Sequence, residues 1–184
     1  MNAGRRGDEA CVEAEPECLY GLRPARIGDI PRLQEIEDVA GRMPYGLGLI
    51  DESLDASFPT GRLQHLVQRG QAWVACTHAG EMVGFLLVSE REGRAYIEEM
   101  DVLPEHGRRG IGTKLIERVA EWAVRAGLPR LTLSTFRDVS WNAPFYAKRG
   151  FRVVPSPDWS EGMRAIRAHE AQHGLTVEAR VTLP

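Results

Sequence analysis

Residues Tyr96 to Lys114 read Tyr-Ile-Glu-Glu-Met-Asp-Val-Leu-Pro-Glu-His-Gly-Arg-Arg-Gly-Ile-Gly-Thr-Lys. This is a mostly apolar extended run, a turn, and a glycine-punctuated basic loop that opens an amphipathic helix. The loop is an anion cradle. Gly110 and Gly112 let the backbone gather N–H groups at one point, and the helix behind them adds the positive end of its dipole. Arg108 and Arg109 bring full charges, so a phosphate or pyrophosphate is the natural guest. Two nucleotide loops fail on spacing. Gly107 and Gly112 are spaced as in a Walker loop, but Thr113-Lys114 reverses the Lys-Ser/Thr order. A dinucleotide fingerprint would need its third glycine at Leu115, where close helix-to-strand packing is blocked.

The 184-residue chain is long enough for one domain with a sizeable core, and its 43% apolar and 27% charged residues are ordinary for a globular protein. A net charge of −3 argues against nucleic acid as a partner. No run reaches the ~20 apolar residues of a membrane span, and the polar, acidic segment Met1 to Glu17 lacks the apolar core of a signal peptide. Cys11, Cys18 and Cys76 are odd in number and lack metal-like spacing, which fits reduced thiols. The expectation is a cytoplasmic protein with no membrane partner, residues 1–18 forming a flexible tail and 19–184 a single domain.

Taken in order, Leu19 to Pro24 reads as a first strand and Ile30 to Arg42 as a helix on which Leu33, Ile36, Glu37 and Ala40 share a face. Gly41 to Pro59 breaks periodicity and feeds a helix over Gly61 to Arg69. Gln71 to Thr77 and Glu81 to Ser89 form a hairpin around His78-Ala79-Gly80, and Arg94 to Leu103 is the next strand. The helix Gly112 to Ala126 precedes a strand over Leu131 to Thr135. A short helix capped by Asn142 then ends at Gly150, and Ser160 to His173 and Thr176 to Thr182 give a last helix and strand. This order predicts an α+β fold with a mixed sheet.

The loop Gly107-Arg108-Arg109-Gly110-Ile111-Gly112 and the segment Trp141 to Phe151, Trp-Asn-Ala-Pro-Phe-Tyr-Ala-Lys-Arg-Gly-Phe, resemble the GNAT acetyltransferase superfamily. Its acetyl-CoA loop reads Gln/Arg-x-x-Gly-x-Gly/Ala. Gly107 departs from the first position of that pattern, and Arg108 stands next to it. The resemblance implies a mostly antiparallel central sheet with helices on both faces and a splayed strand pair. It also implies acetyl-CoA as co-substrate, and direct attack by a primary amine in a ternary complex. Cofactor contacts fall on Met100, Val102, Leu103, Arg108, Arg109, Gly110, Ile111, Gly112, Thr113 and Asn142. An oxyanion donor is expected from a backbone N–H near Met100 to Val102, and Tyr146 becomes the acid for the leaving thiolate. The expected partner is a small-molecule amine, and the fold leaves room for a homodimer.

Amine attack also needs a base. Glu98 and Glu99 interrupt an otherwise apolar strand, where strict alternation sends them to opposite faces and burial would raise a carboxyl pKa. Similarity to diamine acetyltransferases puts Glu98 in the acid–base role, with Glu99 beside it. These residues, with Asp51, Glu52 and Asp55 near the acceptor wall, point to a small cationic acceptor. A non-catalytic CoA-binding module on the same fold is the alternative. His169-Glu170-Ala171-Gln172-His173 fits the zinc-peptidase signature, but Gly174 ends its helix at once. It is read as a solvated helix, and no metal is expected.

Overall fold

The computed structural model describes residues 19–45, 58–135, 142–172 and 180–182. The tail 1–18, Asp51, Glu52 and Asp55 of the expected acceptor wall, Trp141, His173 and the start of the last predicted strand lie outside them.

The strands are β1 (Tyr20–Pro24), β2 (Ala72–Thr77), β3 (Met82–Arg91), β4 (Arg94–Val102), β5 (Leu131–Ser134), β6 (Arg152–Val153) and β7 (Arg180–Thr182). They form one sheet in the order β1-β2-β3-β4-β5-β7-β6. β4 and β5 run parallel, and the other described neighbours pair antiparallel. The mixed, mostly antiparallel sheet expected from the sequence is therefore present. β6 is an addition: its two residues carry no periodic signal and are ordered by pairing with β7.

The helices are α1 (Ile30–Tyr45), α2 (Thr60–Gln68), α3 (Ile111–Arg125), α4 (Ala143–Ala147) and α5 (Glu161–Gln172). α1 and α2 pack on one face of the sheet and α3 on the other. On the α3 side, Trp73 of β2 meets Trp122 edge-on at 6.0 Å between centroids. Leu33, Ile36 and Glu37 of α1 turn inward together, as their helical spacing predicts. Phe85, Leu86, Leu87 and Val88 are fully buried because β3 is covered on both faces.

Two irregularities at the centre of the sheet make the site. The β3–β4 register pairs Leu87 with Glu99 and Val88 with Ile97, so Glu98 is an extra residue, a β-bulge. The β4–β5 pairing covers Ala95–Ile97 against Leu131–Leu133 and stops there. Among the described residues, β4 beyond Ile97 pairs with β3 alone, which leaves a gap on its other edge.

Candidate active site

The cradle is built where β4 ends. Gly110, at φ 82°, is the N-cap of α3 and makes no side-chain capping bond. Arg108 also adopts a left-handed conformation, at φ 58°. Alternating turns of this kind aim successive N–H groups into a concavity. Lys114 N–H closes the first helical turn on the Gly110 carbonyl at 3.1 Å, so the N–H groups of Ile111, Gly112 and Thr113 precede the intrahelical ladder. A Cβ on Gly112 would stand 3.1 Å from Phe145 Cζ and 3.5 Å from Met100 Cε. Glycine there lets the helix start press against β4 and α4.

The predicted cofactor residues divide by their commitments. Arg108 and Arg109 are exposed, and Arg109 donates to Tyr20 Oη at 3.3 Å, which also bonds His106 Nδ1 at 2.9 Å. Ile111 is a core residue that anchors the cradle. The Thr113 hydroxyl accepts two bonds from the Arg149 guanidinium, which stacks 3.5 Å over the Phe145 ring and donates to the Phe145 carbonyl at 2.6 Å. Arg149 thereby fastens α4 to the first turn of α3.

Leu103 N–H bonds the Val83 carbonyl at 2.9 Å, and strand alternation then turns the Met100 and Val102 backbone groups toward the gap. Leu103 differs from them: its N–H is spent in the ladder, its carbonyl accepts from His106 N–H, and its side chain is buried. Asn142 occupies the N-cap position of α4, but its side chain makes no cap bond. The helix is instead begun by Pro144 in its first turn.

The acidic residues depart from the alternation expected of them. The bulge puts Glu98 and Glu99 on the same face, that of α1 and α2. Glu98 Oε1 receives Arg62 at 2.7 Å and Arg91 at 2.8 Å, and its side chain is 9% exposed. Burial favours its neutral form, but hydrogen bonds from Ser89, Arg91 and Arg62 and the Arg91 charge outweigh it, holding its pKa below the usual carboxylate range. The expected rise at Glu98 is therefore absent. It occurs at Glu99, pushed well up by burial and by the charges of Asp101 and Glu37. Asp101 is raised to about 7 by burial and by Glu37, against a hydrogen bond with Glu99 that lowers it. Its Oδ2 is sealed from solvent without a hydrogen-bond partner. Glu37 itself is buried and accepts from Phe58 N–H at 2.5 Å. Like charges this close cannot all ionise, so Glu99 and Asp101 hold a proton between them.

Tyr146 is buried between Phe145 and Phe151, at 5.1 and 5.2 Å between centroids. Burial, then the charges of Asp101 and Glu99, push its phenol up, so it keeps its proton at any physiological pH.

Sequence reasoning missed Arg62, Arg91, Arg149 and Asp101 as parts of this centre. Asp101 had a signal, because it lies two residues from Glu99 and shares its face. Glu37 had one too, as an acid on an apolar helix stripe. Arg62 and Arg149 had none, since Glu98 and Thr113 each lie 36 residues away; Arg91 meets Glu98, seven residues on, only because the β3–β4 hairpin folds back. In the zinc-like motif, Glu170 pairs with Arg167 at 3.3 Å.

The Acetyltransferase (GNAT) family profile matches residues 33–151. Among solved structures, the fold is similar to the PaiA N-acetyltransferase of Thermoplasma acidophilum in complex with coenzyme A. The TM-score is 0.68 at 18% identity, over 89% of this chain and 98% of that one. It is also similar to the ribosomal-protein-S18-alanine N-acetyltransferase of Escherichia coli (TM-score 0.60, 15% identity, 90% and 93% covered). N-acetylglutamate synthase of Neisseria gonorrhoeae, complexed with coenzyme A and N-acetyl-glutamate, matches at TM-score 0.67 and 19% identity; there this chain covers 91% of itself but 35% of the synthase. The chain thus spans about a third of the synthase and nearly all of the other two. With the family profile covering the strand, cradle and α4 that build the site, the chain belongs to the GNAT acetyltransferase family.

Proposed function

We propose that this chain transfers the acetyl group of acetyl-CoA to the primary amine of a small acceptor, which enters as an ammonium, by direct attack in a ternary complex. The observation that carries the reading is the parting of β4 from β5 at the bulge, between the cradle of α3 and the half-buried side chains of Glu99 and Asp101. The cradle fits a pyrophosphate, because its N–H groups lack side-chain caps and Gly110 and Gly112 leave the backbone accessible. The Met100 and Val102 backbone groups face the gap, where they can bond an extended amide-bearing arm and an oxyanion.

In this reading Glu99 and Asp101 act together as the base. Once ionised, the pair takes a proton from the ammonium. The amine nitrogen bonds the acetyl carbon, the carbon–sulfur bond breaks, Tyr146 gives its proton to the departing thiolate, and the second proton lost from nitrogen as the amide forms returns to the Tyr146 phenolate. Glu98, already bound to two guanidiniums, positions α2 and does not exchange protons. Two proteins of similar fold support amine acceptors in general, since one is a ribosomal-protein-S18-alanine N-acetyltransferase and the other an N-acetylglutamate synthase.

Calorimetry with acetyl-CoA and a screen of amines for thiol release test the reading. Gly110→Asp should abolish acetyl-CoA binding, since a negative side chain in a left-handed position would occupy the phosphate site. Unchanged binding would sink the cradle assignment. Acetyl-CoA binding without thiol release across the panel would favour a non-catalytic CoA-binding module.

A further inference from the structure

Resting on the acetyl-transfer reading, we infer that the acceptor carries an anionic group as well as its amine, that Arg62 and Arg91 bind this group, and that the acceptor is a small amino-carboxylic acid.

Two opposed charge centres meet at the bulge. Arg62 from α2 and Arg91 from β3 both converge on Glu98 Oε1, and Arg91 also reaches Oε2 at 3.1 Å. Two guanidiniums against one carboxylate leave a surplus of one positive charge. Glu98 is shielded, but the Arg62 and Arg91 side chains are 38% and 41% exposed, so their outer N–H edges can be reached from solvent. A guanidinium offers five donors in a rigid fork, and one shared carboxylate cannot use ten. A second carboxylate would balance the charge and take bidentate bonds at little reorganisation cost, because Glu98 already holds both forks in place.

The adjoining residue begins the negative centre. Glu99 and Asp101 face each other's charge, and the sealed Asp101 Oδ2 has no hydrogen-bond partner. An ammonium would supply both the charge and the missing donor. Glu98 and Glu99 are neighbours, with Cα atoms ~3.8 Å apart, so one small molecule can span the two centres. A dication would satisfy the second centre but place its other charge against Arg62 and Arg91. A simple amine would leave the arginine surplus unmet. The zwitterion is the class that matches both.

The test is a thiol-release assay with acetyl-CoA on the full chain. Acceptors are matched in length: straight-chain alkylamines, α,ω-diamines, ω-amino acids and the common α-amino acids. The wild type should prefer an amino acid over its decarboxylated counterpart by about tenfold or more in kcat/KM, as expected for charge-assisted bonds. Arg62→Gln and Arg91→Gln should each shrink that preference, mainly through KM, while leaving acetyl-CoA affinity by calorimetry intact. A wild type that acetylates alkylamines or diamines as well as amino acids would overturn the inference and leave acetyl transfer standing. Arginine variants that fold and bind acetyl-CoA but keep the full preference would overturn it too. No turnover with any acceptor would remove the acetyl-transfer reading and this inference with it.

Discussion

Adjacent glutamates in one strand end in opposite electrostatic states, and each is open to a separate test. Glu98 lies under two guanidiniums and stays ionised; Glu99 faces Asp101 and Glu37 and resists ionisation. Replacing Glu98 with Gln should raise the acceptor KM as α2 loosens and cost about 1 kcal/mol of stability, at the low end because both arginines reach solvent. The pH at which turnover half-develops should stay where it is. Asp101→Asn should behave differently. In the wild type, kcat/KM should climb as pH rises through about 7, where the pair loses its proton. The Asn variant should lose most of its turnover and that limb. A pH–rate profile of both variants separates the positioning residue from the base. Tyr146→Phe should lower kcat without changing acetyl-CoA affinity, and a wild-type rate would remove its acid role.

Among the elements, a close approach of backbone to backbone lies where β3 passes β4. A Cβ on Gly84 would come 2.8 Å from the Asp101 carbonyl, a backbone atom that cannot step aside cheaply. Gly84→Ala should therefore destabilise by about 1–3 kcal/mol and also reduce activity, since the shift is delivered to Asp101, half of the proposed base. Chemical denaturation and thiol release on one preparation would show both. Elements of this kind were legible from sequence when a local rule governs them. The 3.6-residue stripe predicted α1 and α3, and small-residue turns predicted the β2–β3 hairpin. The cradle followed from glycine spacing. What strict period 2 could not reveal was the bulge, since an extra residue becomes visible only against the count on β3, and it put Glu98 and Glu99 on one face where two were expected. The parting of β4 from β5 was likewise available only through the family resemblance, because strand pairing is non-local. Asn142 shows a milder case: its position as N-cap follows from local sequence, but its side chain is left for other partners.

For the molecule as a whole, two sets of carboxyls pull stability in opposite directions with pH. Asp29 and Glu98 have lowered pKa values despite the cost of burial, through hydrogen bonds and charge from Arg23 and Arg26 in one case and from Ser89, Arg91 and Arg62 in the other. Their contribution is present above the ordinary carboxylate range and lost as pH falls below it. Glu99 and Asp101 are raised, so above ~4, and for Asp101 up to about 7, the folded state binds more protons than the unfolded chain. Their contribution declines as pH rises across that window. Thermal unfolding should thus be most favourable to the fold near pH ~5, and Asp101→Asn should flatten the decline toward pH 8. Acetyl-CoA at a hundred times its Kd should raise stability by about 2.7 kcal/mol. Hydrogen exchange should show new protection at Met100 and Val102, with none added at Leu103, whose N–H is already bonded.

The bulge at Glu98 also has a consequence for which changes of chain length this protein tolerates. Ile97 and Glu99 already point to opposite faces, so deleting Glu98 would leave Glu99, Met100 and Asp101 facing as they do now. Strand β4 would then match β3 residue for residue, and the β4–β5 ladder should extend past the Ile97–Leu133 pair. On this account the cleft depends on a surplus of one residue in one strand, which the deletion tests. Glu98→Gln should keep acetyl-CoA binding, and the single-residue deletion should lose it while the chain still folds.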